Sequence, residues 1–220
     1  MRRAALAIVL ACGLGAATAV AEEPAAVSAA PKSLGDPAAP VKIIEYASLS
    51  CPHCAEFHAE RMPWLKQTYI DTGRVRFEFR DFPLNAPALW GSMLAHCAGP
   101  DRYYAWLDLL FGRQRDWAVG STAIGGGNAD AFFESGCPKQ DWPEVWHRLA
   151  GVGKLAGMGE ARLQSCLCDQ DLADAIIRTR SDGQKEFDIE STPSLVIDGE
   201  VFPGVPSEDE LSKRIEDAGG

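Results

Sequence analysis

The chain has 220 residues, of which 46% are hydrophobic and 24% charged, and a net charge of −10 at pH 7. This is enough apolar material for one sizeable core with a helical lid. It is too acidic for a protein that grips a phosphate backbone, which needs a basic patch, so no nucleic-acid partner is expected.

In chain order, Arg2 and Arg3 precede an apolar stretch from Ala4 to Val20, and Ala19-Val20-Ala21 has the small-residue form of a cleavage site. Residues 1–21 are expected to be an export signal peptide, leaving a mature chain that starts at Glu22 and is two units more acidic. An uncleaved anchor and a lipid-modified Cys12 are the alternatives. Residues 22–33 are small, Ala- and Pro-rich, and read as a flexible linker. No later apolar stretch approaches the ~18 residues of a membrane span.

Val41 to Tyr46 is β-branched and aromatic and predicts a buried strand. Ser50 is the expected N-cap of the next helix, with Cys51 at its start and Pro52 in its first turn. Phe57, Met62, Leu65 and Tyr69 continue at helical spacing, and Pro63 is expected to kink that helix. Val75 to Arg80 alternates apolar and charged residues and predicts a second strand. This gives a βαβ unit. Helices are expected over 88–97, 102–111, 142–155 and 160–167, followed by a long one that runs from Leu172 into Phe187. The Trp and Phe residues of this region read as core. Gly125-Gly126-Gly127 lacks the Lys-Ser or Lys-Thr of a phosphate loop and reads as a turn. Residues 121–143 read as an insertion of unassigned role. Ser194 to Ile197 predicts a strand, Asp198-Gly199 a tight hairpin, and Ser207 with Glu210 a capping box opening the last helix.

Cys51-Pro52-His53-Cys54 carries the chemistry. Unpaired backbone N–H groups and the macrodipole at a helix N-terminus favour negative charge. Cys51 is therefore expected to be an exposed, acidic thiol with a pKa well below 7, and Cys54, one turn in, the buried resolving thiol. His53 can add a donor or partial positive charge. A low pKa makes Cys51 both a ready thiolate and a good leaving group. A metal site of Cys51, Cys54 and His58 is the rival reading, but it lacks a fourth ligand at a telling spacing. His58 otherwise reads as a solvated or half-buried helix residue. Thr192-Pro193 stands at the head of a strand, where proline costs no ladder bond. If the proline lies against the dithiol, the backbone of Thr192 can pair with an extended substrate segment.

The stretches LGDPAAPVKIIEYASLSCPHCAEFH (34–58) and ESTPSLVIDG (190–199) resemble the DsbA family of periplasmic thiol–disulfide oxidoreductases. The resemblance implies an α/β thioredoxin fold with an inserted α-helical domain. On this reading residues 34–85 and 185–220 form the thioredoxin-like domain and 86–184 the helical insert. It also implies a cis bond at Pro193. Thr192 departs from the Val that often stands there in the most oxidising members. Removing Cys12 with the leader leaves six cysteines, one pair being the dithiol. Cys97, Cys137, Cys166 and Cys168 allow three pairings, and Cys166–Cys168 is disfavoured as too tight. Free buried thiols are the alternative. Resemblance to alphaproteobacterial-type members implies Cys97–Cys166, which leaves Cys137 with Cys168.

The expected function is donation of the Cys51–Cys54 disulfide to exported proteins in the periplasm, by a monomer using Cys51, Cys54, His53, Thr192 and Pro193 and needing no cofactor or metal. The resemblance implies reoxidation by a quinone-linked membrane partner. Glu45 matches a charged residue near the family's site, and it is expected either to assist proton transfer to Cys54 or to play a plain structural role. The rivals are an isomerase or reductase of the same fold, and a periplasmic metal- or thiol-binding module.

Overall fold

The structure, a computed structural model, describes residues 27–118 and 144–220. Five strands form one mixed sheet: β1 (Lys32–Leu34), β2 (Val41–Ala47), β3 (Val75–Asp81), β4 (Ser194–Ile197) and β5 (Glu200–Pro203). They lie in the order β1-β3-β2-β4-β5. β2 and β3 are parallel, with Ile43 opposite Phe77, while every other pair is antiparallel. β2 is central and nearly all buried, as its apolar run demands.

β1 is a correction to the linker reading. Lys32 to Leu34 pair with Phe79 to Phe77, so the end of the segment expected to be flexible joins the sheet. Side-chain contacts hold it there. Tyr104 donates to the Lys32 carbonyl at 2.7 Å, and Lys32 Nζ lies 2.6 Å from His96 Nδ1.

The helix after β2 runs as α1 (Pro52–Glu56), a π-helical turn (Phe57–Arg61), α2 (Met62–Leu65) and a second π-helical turn (Lys66–Ile70). The expected kink at Pro63 takes this form. Pro63 sits in the first turn of α2 directly after the wider turn, where Met62 N–H reaches back to the Phe57 carbonyl. The backbone thus absorbs a residue that cannot donate and continues inward. Phe57, Leu65 and Ile70 face the core from this segment.

Between β3 and β4 the described residues are helical: α3 (Ala86–Cys97), α4 (Tyr103–Gly112), α5 (Gln114–Trp117), α6 (Glu144–Leu155), α7 (Glu160–Leu167) and α8 (Gln170–Phe187). Caps explain two starts: Asn85 accepts from Ala88 N–H and Asp169 from Leu172 N–H. α3 is buried almost all round and packs against α4, α6, α7 and α8. Trp90, Trp106, Trp117 and Trp146 are core residues, as expected, with Trp90 edge-on to Trp146. A Cys97–Cys166 disulfide ties α3 to α7, the pairing the resemblance implied. Cys168 is also disulfide-bonded. Cys137, its expected partner, lies outside the described residues, as do the 121–143 insertion, Gly125 to Gly127 and the leader.

α8 closes over the sheet at Gly183, where a Cβ would sit 2.4 Å from the Tyr46 ring. At the far edge Asp198 (φ 50°) and Gly199 (φ 80°) make the hairpin turn with the two left-handed residues a type I′ turn requires. Ser207 Oγ accepts from Glu210 N–H and opens α9 (Glu208–Asp217), which buries Leu211 and Ile215.

Candidate active site

β2 delivers the chain to a turn in which Cys51 N–H bonds the Ser48 carbonyl at 2.9 Å, and α1 begins at once. Cys51 itself, in extended backbone (φ −82°, ψ 122°), occupies the cap position with Pro52 in the first turn. This corrects the expectation for Ser50, whose hydroxyl lies 3.3 Å from Ser48 Oγ. The consequence is chemical, because a sulfur at the cap faces the free N–H groups of the first turn.

Both thiols lie inside the surface, with Cys51 6% exposed and Cys54 0%. Cys51 is the reachable one, but it is not the exposed residue the spacing suggested. Its sulfur donates to the main-chain carbonyl of Thr192 at 3.3 Å. The Thr192–Pro193 bond is cis. Sheet pairing of β4 with β2 ends at Ser194 opposite Tyr46, so Thr192 and Pro193 stand beyond the ladder, beside the dithiol. The Thr192 hydroxyl is buried beside the Cys51 sulfur, with no other hydrogen-bond partner.

The two sulfurs are driven in opposite directions. The Cys54 thiol donates to the Cys51 thiolate and, against the cost of burial, holds Cys51 at about 5; the Thr192 side chain and the backbone N–H groups of Cys54 and His53 add to this. Cys54 is pushed well up, first by burial, then by its bond to Cys51 and the negative charge of Glu45. His53 contributes through its backbone. Its imidazole is exposed and lies 3.3 Å from Glu56 Oε2.

Two residues gain importance. Gln114, on α5, is buried and donates from Nε2 to the carbonyls of Leu49 and Cys51, each at 2.9 Å. The helical insert thereby fixes the turn that holds the reactive cysteine. No periodicity announces this contact, because α5 is a single short turn. His58 is the second. Instead of facing solvent, it is buried, stacks on Phe111 at 4.2 Å between ring centres, and pairs through Nε2 with Glu45 Oε2 at 2.8 Å. It is therefore turned to Glu45 rather than offered with the thiols as a ligand. Among the described residues no group of three or more His, Cys, Asp and Glu side chains is placed to hold a metal ion.

The arrangement pairs one stabilised thiolate with one buried thiol beside Thr192, whose backbone lies outside the β2–β4 ladder, which is the equipment for exchanging a disulfide with an extended chain.

Comparison with known proteins agrees. A family model described as thioredoxin matches residues 28–217. A Rickettsia bellii protein that carries protein-disulfide oxidoreductase in its name is 26% identical over 76% of this chain and 56% of its own length. Disulfide bond formation protein D of Bacillus subtilis is 24% identical over 87% of this chain and 80% of its own. Among solved structures, Wolbachia pipientis alpha-DsbA1 superposes with a TM-score of 0.68 at 26% identity, covering 86% of this chain and 90% of that one. The chain spans little more than half the length of the rickettsial relatives it matches.

Proposed function

The chain belongs to the thioredoxin family, and we propose that within it this protein donates the Cys51–Cys54 disulfide to exported proteins as they fold. The observation that carries the reading is the opposed pair of sulfurs: Cys51 held at about 5 at the head of α1, Cys54 pushed well up behind it. A low-pKa sulfur favours the reduced form of the dithiol, which makes its disulfide a strong oxidant.

The reaction runs in two steps. A client thiolate attacks Cys51 Sγ, forming a client–Cys51 disulfide and breaking the Cys51–Cys54 bond. The electron pair leaves on Cys54, which takes up a proton. A second client thiolate then attacks the client sulfur and expels Cys51 as the stable thiolate. The client loses two electrons and the dithiol gains them. Thr192 and Pro193, beyond the ladder, serve as the docking edge for the extended client. The protein works in the periplasm as a monomer, and a quinone-linked membrane protein reoxidises it. The organisation proposed is a thioredoxin-like domain (34–85 and 185–220) around a helical insert (86–184).

The test uses the oxidised protein and an unfolded polypeptide with two reduced cysteines, quenched in acid at intervals. One client disulfide should form per protein molecule consumed, and none with Cys51→Ser. Failure of the wild-type protein to oxidise the client would remove the reading.

A further inference from the structure

The disulfide chemistry leaves one need unmet. Cys54 is fully buried, yet it must gain a proton when the disulfide opens and lose it when the disulfide re-forms. Bulk water does not reach it directly. Behind it, Glu45 (0% exposed) has one carboxylate oxygen on His58 Nε2 and the other, Oε1, without a partner. His58 Nδ1 is buried and equally unpartnered. A polar group buried without a partner costs about 1–3 kcal/mol, so two such atoms on one pair ask for a reason.

His58 also lines a cleft of about 870 Å³ between the active-site helix and α4–α5, whose walls include His53, Glu56, Lys66, Asp108 and Gln114. Resting on the disulfide-donor reading, we propose that His58 conducts the proton of Cys54 between Glu45 and this cleft, with Asp108 as the exchange point at its wall. An imidazole suits the task, since it can accept a proton at one nitrogen and release another from the other. When the disulfide opens, a proton enters at Nδ1, the Nε2 proton passes to Glu45 Oε2, and the carboxyl delivers one to the Cys54 thiolate. On reoxidation the same transfers run backwards, so each cycle restores the starting tautomer and carboxylate. No other reactant is needed.

The charges around the path fit. On the cysteine side Glu45 raises Cys54, and its charge is also felt by the buried Tyr103 and the half-buried Tyr104 on α4, both pushed up mainly by burial, so neither competes for the proton. On the cleft side Asp108 is raised by burial against the pull of His58 and Lys66, which brings a carboxyl on the cleft wall nearer to neutral exchange. Phe57, Phe79 and Phe111 supply the rest of the His58 surroundings and are apolar.

The experiment separates the two thiols. Reduced protein is mixed with oxidised glutathione and acid-quenched for mass analysis. Formation of the Cys51–glutathione adduct reports Cys51 alone; its loss reports attack by Cys54, which requires deprotonation. His58→Gln keeps an N–H donor for Glu45 but cannot carry a proton. Relative to adduct formation, its resolution step should be at least ~10-fold slower at pH 7. It should recover speed when free imidazole is added. Asp108→Asn, on the cleft wall, should slow the same step by ~3-fold and serves as the test should His58→Gln not fold. An unchanged resolution rate in a folded His58→Gln, or a slowed one with no imidazole rescue, overturns the relay. An unchanged rate in Asp108→Asn overturns it likewise if that variant must stand alone. Wild-type protein that forms neither the adduct nor the Cys51–Cys54 disulfide would instead overturn the donor reading itself.

Discussion

The sulfur of Cys51 lies 3.3 Å from the main-chain carbonyl of Thr192, across 141 residues of sequence. That contact joins the head of α1 to the stretch before β4 and sets the environment of the reactive thiol. It requires both halves of the sheet to be in register, since β4 reaches this point only by pairing with β2.

The acidity of Cys51 is expected to depend on Cys54 first. Thiolate absorbance of the reduced protein should titrate near pH 5, and Cys54→Ala should move the midpoint upward, because the Cys54 thiol is the leading donor to the thiolate. An unchanged midpoint would assign the acidity to the helix start alone.

The same group makes the stability of the reduced protein depend on pH. The folded pKa of Cys51 lies below its unfolded value, so the unfolded chain binds more protons between them. The Cys51 contribution is complete above the unfolded value, shrinks as the pH falls and is gone below about 5. Urea unfolding of the reduced protein should show this slope, and Cys51→Ser should lack it.

Thr192→Val should raise the Cys51 pKa without unfolding the protein. The threonine hydroxyl favours the thiolate and is otherwise buried without a partner. A bond of that kind to a charged group corresponds to about one pKa unit. A thiolate titration that does not move would mean the hydroxyl plays no part.

Gln114→Ala removes the side-chain donor from the carbonyls of Leu49 and Cys51; the Cys51 carbonyl keeps Ala55 N–H, so the Leu49 carbonyl is the one left bare. The expected loss is about 1–3 kcal/mol in urea unfolding, with faster alkylation of Cys51 as its turn loosens. A Gln114→Ala protein of wild-type stability and reactivity would contradict the role given to α5.

Much of this was legible in the chain. Cys51-Pro52-His53-Cys54, the strand periods, Asp198-Gly199 and the Ser207 cap are local signals, and local chemistry decides them. What escaped were relations between distant segments. The pairing of Lys32 with Phe79 depends on β3 lacking a neighbour at that edge, which a short polar-looking segment cannot announce. His58 reads as an ordinary helix residue until Phe111 and Glu45 enclose it. Gln114 matters only because the helical insert folds back over the dithiol. The cap falls at Cys51, one residue later than the expected Ser50, because Pro52, whose fixed φ suits the first helical position, starts the helix.

The most direct test of the central claim is the equilibrium of Cys51–Cys54 with glutathione. With Cys51 an acid of about 5, the dithiol should stay reduced in buffers where a reducing thioredoxin is oxidised, and become half oxidised only above roughly −200 mV. A midpoint near the roughly −270 mV of such a thioredoxin would contradict the account and make the protein a reductant.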